Sequence, residues 1–226
     1  MIKYHPSKQL MHKHLAGELP AGLSVAIAAH IELCDKCQCE VDAIEAKQAA
    51  QLFSNQSDIL IDCDEALSTE DDLLFDAMMA DITSLEVDSQ VVPHEVTMFD
   101  YQDKSVQLPR AIAALKLGSF INAGKVSRAR FELDEGPMRS SLLHIKPGGE
   151  IPEHTHTGFE LTLLLDGTFE DESGKYVPGD FIMLDGRHNH TPKTEEGCLC
   201  FTLVDNALHF NKGLSKLLNP IGKLIY

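Results

Sequence analysis

The sequence predicts an α+β multidomain chain: a small helical domain followed by a β-barrel domain. Two changes of pattern carry this reading. From about Pro6 to Met79 the apolar residues recur at helical spacing, punctuated by capping and breaking residues. From about Ser84 onward Val, Ile, Phe and Leu alternate with polar residues in short runs separated by Gly and Pro, the period-two pattern of antiparallel strands. A length of 226 residues accommodates two ordinary domains, and 43% hydrophobic with 24% charged residues is the composition of a chain that buries a core.

In order along the chain, Pro6-Ser7 opens a first helix, and the run Glu18 to Gly22 breaks it. An Ala-rich stretch from Leu23 to His30 follows, then a longer helix from about Asp35 to Phe53. Segment 54–67 is polar and Asp-rich, and reads as a hinge or loop. Ser68-Thr69-Glu70-Asp71-Asp72 places an N-cap and first-turn acids before Leu73, Leu74, Phe75, Met78 and Met79, so a fourth helix starts there. Within the β-rich part, one short helix is expected from Pro109 to Leu117, with Pro in its first turn and Gly118 just past its end. The tail from Lys212 to Tyr226 is basic and amphipathic, broken at Pro220.

Charge narrows the function classes. The net charge is −16, and residues 1–92 carry −12 of it, with 5 Lys/Arg against 17 Asp/Glu. No Lys or Arg lies between Lys47 and Lys104. Such a surface is repelled by DNA and by anionic membranes and attracted to a basic protein. The N-terminus has no apolar h-region, so a signal peptide is not expected, and the longest apolar runs are too short to cross a bilayer. Six cysteines without a secretory signal point to a reducing, cytoplasmic setting in which thiols hold metals or do redox chemistry.

His30-x3-Cys34-x2-Cys37 is the first chemical constellation. An i, i+4 pair shares a helix face, and the Cys-x2-Cys spacing lets both thiolates turn toward one ion. A tetrahedral structural zinc needs a fourth ligand. His5 is the leading candidate; His12, His14 and Cys39 compete for the place.

With His5 ahead of this motif, in an acidic helical segment, residues 1–85 resemble the zinc-binding anti-sigma domain of the ChrR type. The resemblance implies three helices gathered around zinc and a fourth, separately mobile helix at about Thr69–Ala80 that helps clamp an extracytoplasmic-function sigma factor. Leu73, Leu74, Phe75, Met78 and Met79 would then touch the partner.

Gly148-x5-His154-x-His156-x3-Glu160-x6-Gly167 is the second constellation. On a strand, His154 and His156 point to one face, and Glu160 returns to the same interior. This spacing resembles the first motif of the cupins, which implies a jelly-roll β-barrel over about residues 94–210. The second motif is looser. From Gly179-Asp180 its histidine falls on His190, with His188 as the rival. Three His and one carboxylate suit a divalent metal: zinc first, with Fe, Mn or Ni also compatible. Cys198 and Cys200 face one side of a strand, as a redox pair or as two small core residues.

The two resemblances together imply residues 1–85 as a helical anti-sigma domain, 86–108 as a linker and 109–226 as a cupin with a C-terminal tail. The function they imply is release of a sequestered sigma factor on an oxidative signal, singlet oxygen or organic hydroperoxide, sensed by the cupin. No enzymatic activity, no direct DNA binding, no membrane association and a homodimer in the sigma-free state complete the expectations. A metal-dependent dioxygenase or isomerase with an N-terminal interaction module is the alternative.

Overall fold

The computed structural model describes residues 1–54, 69–85, 97–101, 104–156, 158–206 and 208–210. Residues 55–67 of the expected Asp-rich loop, residues 86–96 of the expected linker and the expected amphipathic tail lie outside them. Ser7 opens α1 (Lys8–Leu15), its Oγ accepting from the Leu10 amide at 3.3 Å. Helix α2 (Ala21–Leu33) starts after Pro20 and stops where Cys34 turns extended, at φ −130° and ψ 98°. Helix α3 (Asp35–Ser54) begins one residue later, and α4 (Thr69–Ser84) completes the helical part.

The helix expected from Pro109 to Leu117 is shorter: α5 (Arg110–Ala113), with Pro109 as its N-cap at φ −54° and ψ 143°. Tertiary pairing ends it early, because Leu117 leaves to bridge Phe131. Ahead of it, in the stretch expected as a linker, β1 (Met98–Tyr101) and β2 (Lys104–Gln107) form a hairpin whose Phe99, Tyr101 and Val106 pack on the core.

Among the described residues the main sheet has six antiparallel strands in the order β10-β7-β11-β5-β4-β3. These are β10 (Phe181–Asp185), β7 (Phe159–Gly167), β11 (Cys198–Val204), β5 (Arg139–Ile145), β4 (Val126–Arg130) and β3 (Ile121–Ala123). Two further antiparallel pairs are β6 (His154–His156) with β12 (Leu208–Phe210) and β8 (Phe169–Asp171) with β9 (Gly174–Tyr176). The result is the expected barrel. Gly167, at φ 77°, ends β7 hard against the Gly197 backbone, where any Cβ would collide.

Strand β11, CLCFTLV, is buried at every position, because both faces of the sheet are covered. Leu199, Phe201 and Leu203 join Leu161, Leu163 and Leu142 on the outer face, against Leu23, Ala26 and Ile27 of α2 and Ile112 of α5. Cys198 and Cys200 point inward with Leu164, Ile145, Ile182, Phe169 and Tyr176. The helical layer and the barrel therefore share one compact unit, Met1–Ile44 with Val96–Tyr226. The second unit, Glu45–Glu95, holds the end of α3 and α4. On α4, Leu73, Leu74, Phe75, Met78, Met79 and Ile82 are all exposed.

Candidate metal centres

The break between α2 and α3 builds the first centre. His30 sits in the last turn of α2, Cys34 at its end, and Cys37 in the first turn of α3, so the reversal at Cys34 turns all three toward one point. His5 reaches the same point from the extended N-terminal segment. Its Nδ1 lies 3.4 Å from His30 Nε2, 3.5 Å from Cys34 Sγ and 3.4 Å from Cys37 Sγ; His30 Nε2 is 3.2 Å from Cys37 Sγ. All four donor atoms lie within 4.8 Å of one another. Zinc–nitrogen and zinc–sulfur bonds at tetrahedral angles require about 3.3 Å between nitrogens and about 3.6 Å between nitrogen and sulfur. The donor set and its spacing fit that ion.

The surroundings tune the ligands. His30 Nδ1 hydrogen-bonds the Gly179 carbonyl at 2.7 Å, which places its proton there and aims Nε2 at the cluster. Burial pulls His30 down to about 4, so it stands neutral, as a ligand must. Burial, with Cys34 alongside, pushes the Cys37 thiol up to about 12. Of the competitors for the fourth place, His14 bonds Ser24 Oγ at 3.1 Å and Cys39 is exposed; neither they nor His12 join the cluster.

The second centre lies on the inner face of the barrel. His154 and His190 are joined by a reciprocal backbone bridge, and their Nε2 atoms stand 2.9 Å apart. Glu160 Oε2, from β7, is 3.3 Å from His190 Nε2. His154 Nδ1 bonds the Pro152 carbonyl at 2.9 Å, which aims its Nε2 inward. These three residues border a cavity of about 30 Å³, walled by Leu143, Ile151, Phe169, Ile182 and Leu184 and by Cys200. That is room for an ion with a water or two. The Cys200 thiol is held well above the usual range by its hydrogen bond with Cys198 and by burial. His156 lies on β6, and its side chain is outside the described residues. His188 is exposed and bonds Asp185 Oδ1 at 2.8 Å, away from the cluster.

Asp171, at the end of β8, is a buried carboxylate beside this centre that the sequence reading did not single out. Its buried Oδ2 lies 3.5 Å from His190 Nδ1, while Oδ1 accepts from Ser173 N at 2.8 Å and Tyr176 Oη at 3.0 Å. An Asp before Glu-Ser-Gly reads as a turn residue, and one of its oxygens does serve the turn. Nothing local marks the other. Burial pulls His190 down, but the Asp171 and Glu160 carboxylates beside it, at 3.5 and 3.3 Å, outweigh that and push the ring up to about 9. The pocket favours a positive charge, carried by a proton or by a metal ion.

A cupin barrel with a histidine–carboxylate centre inside, and a helical layer with a Cys2His2 cluster outside, is the class of protein that fold and sites define. Residues 128–206 match the ChrR cupin-like domain family. The anti-sigma-E factor ChrR of Cereibacter sphaeroides is 29% identical over 237 aligned positions, which cover 99% of each chain. The crystal structure of Rhodobacter sphaeroides SigE in complex with the anti-sigma ChrR matches with a TM-score of 0.62 and 26% identity, covering 91% of this chain and 100% of that one. An RmlC-like cupin from Ralstonia eutropha aligns over 43% of this chain and 68% of its own, at 21% identity and a TM-score of 0.38. The chain is ChrR-like over 99% of its length in sequence and over 91% in fold. Among the described residues, no helix is long and apolar enough to cross a membrane.

Proposed function

We propose that this protein is a cytoplasmic, non-enzymatic anti-sigma factor that sequesters an extracytoplasmic-function sigma factor and releases it on an oxidative signal read by the cupin. The observation that carries the reading is the end-to-end similarity to the anti-sigma-E factor ChrR, including the fold that ChrR adopts in its complex with SigE. Residues 1–85 form the sigma-binding part and 109–226 the sensing part; of the stretch 86–108 between them, the β1–β2 hairpin packs on the core. His5, His30, Cys34 and Cys37 hold zinc, which supplies folding energy to the helical layer. His154, His156, Glu160 and His190 hold a second divalent metal. The charge of −12 on residues 1–92 suits a partner whose DNA- and polymerase-binding faces are basic. A sigma factor of the host held in a stable complex with the full-length protein, in place of RNA polymerase core, is the expected result. His154→Ala should still bind sigma yet fail to release it when oxidant is added, because a signal shifts an equilibrium only through a site whose affinity differs between the two states. No complex, or normal release by His154→Ala, would refute the corresponding half of the reading.

Zinc uptake at the first centre has a pH signature. Thiols bind as thiolates, and the Cys37 thiol, pushed up to about 12, is protonated at neutral pH. Uptake therefore releases protons, and the apparent affinity falls as pH falls, on the order of tenfold per pH unit for each proton released. Calorimetry in buffers of different ionisation enthalpy reads the number directly. A pH-independent affinity between 6 and 8 would exclude thiolate ligation.

A further inference from the structure

The N-terminal segment touches both centres. Tyr4 packs its ring on Tyr176, with centroids 5.0 Å apart, and the Tyr176 hydroxyl donates to Asp171 Oδ1 at 3.0 Å. The other oxygen of Asp171 faces His190 Nδ1. On its opposite side Tyr4 is joined by one peptide bond to His5, a member of the first cluster. The segment is anchored by Asp180, a fully buried carboxylate in the turn between β9 and β10. Asp180 Oδ1 accepts from the Lys3 amide at 2.6 Å and the Tyr4 amide at 3.0 Å, and Oδ2 accepts from Val177 N at 2.8 Å. Phe181 N then donates to the Tyr4 carbonyl at 3.0 Å, and the Phe181 ring meets His30 edge-on. A buried carboxylate is costly unless fully hydrogen-bonded, and here three backbone amides satisfy it. Two of them belong to the residues that aim His5.

We propose that the segment Ile2–His5 is a relay between the two centres: Tyr4 registers the position of His190 through Tyr176 and Asp171, and Asp180 converts that position into the placement of His5. The proposal rests on the reading that both clusters hold metal. A change at the cupin centre moves His190, then the Asp171–Tyr176 pair, then the aromatic stack. His5 shifts with it, and the grip on the first ion changes. Linkage makes the effect reciprocal, so loss of the first ion also changes the affinity of the cupin centre for its metal.

The measurement uses the full-length protein loaded with Zn²⁺ alone, timing zinc transfer from the first centre to a chromogenic chelator. Loss of the cupin ion in His154→Ala should speed that transfer several-fold over the wild type. Tyr176→Phe keeps the ring stack but removes the hydroxyl from Asp171, so the His154→Ala effect should shrink to near unity in this background. Asp180→Asn should weaken the first centre about tenfold, the range for outer ligand partners. It should also alter the visible spectrum of Co²⁺ placed there. Equal transfer rates in wild type and His154→Ala would overturn the relay, whether or not Asp180→Asn folds. An undiminished His154→Ala effect in Tyr176→Phe would overturn this route. If His154→Ala takes up no zinc at all, the zinc reading itself fails, which is a different result from equal rates.

Discussion

Replacing Leu74 and Met78 of α4 together with Asp should lower the affinity for the sigma factor by about a hundred- to ten-thousandfold while leaving the fold intact. The two side chains are 69% and 52% exposed and stand at i and i+4 on one helix face. A helix that exposes Leu73, Leu74, Phe75, Met78, Met79 and Ile82 presents an apolar patch of the kind that marks a binding surface. Burying a Leu or Met side chain contributes about 1.5–3 kcal/mol. Losing two such burials costs about 3–6 kcal/mol, and each 1.4 kcal/mol is about tenfold in affinity. Little that is buried changes in the free protein, so its unfolding free energy should move by no more than about 0.5 kcal/mol. Titration calorimetry with the sigma factor, alongside thermal melts, separates the two quantities. An affinity unchanged within twofold would remove α4 from the interface.

Cys37→Ser should abolish zinc binding at the first centre and loosen α1 and α3 far more than α2. Helix α1 buries one residue, Met11, and α3 buries only Cys37 and Val41. Seven residues of α2 are buried, with Leu23, Ala26 and Ile27 packed against the sheet. On so few buried residues, α1 and α3 are expected to depend on the ion proposed for the first centre, and a structural zinc would supply on the order of 10 kcal/mol. Amide hydrogen exchange should therefore accelerate by orders of magnitude over residues 1–15 and 35–54, with protection kept over 21–33. Uniform protection in the variant would mean that the helices stand without metal.

What could be read from the sequence was local. His30, Cys34 and Cys37 lie within eight residues, so spacing alone announces a site. His154 and Glu160 likewise fall within a single short motif, legible through its resemblance to the cupins although the two residues stand on different strands. Contributions from across the barrel were not legible. Asp171 and Asp180 look like turn acids, and each does bond a turn amide, Ser173 N and Val177 N respectively. Their second oxygens reach His190 and the Lys3 and Tyr4 amides, partners up to 177 positions away. Equally hidden was the joining of helices and barrel into one unit, because an apolar run such as CLCFTLV does not say what covers each of its faces. The early end of α5 belongs to the same class, set by the Leu117–Phe131 bridge.

The doubly covered sheet has a consequence for how such proteins can be recombined. The outer face of β7 and β11 serves as floor to α2, where Gly22 sits so close that a Cβ would press on Ser140 Oγ and Glu135 Oε2. A chimera that grafts the helices of one homologue onto the barrel of another cannot treat them as interchangeable cassettes. The graft must carry Leu161, Leu163, Phe201 and Leu203, together with Ser140 and Glu135, along with the helix moulded to them.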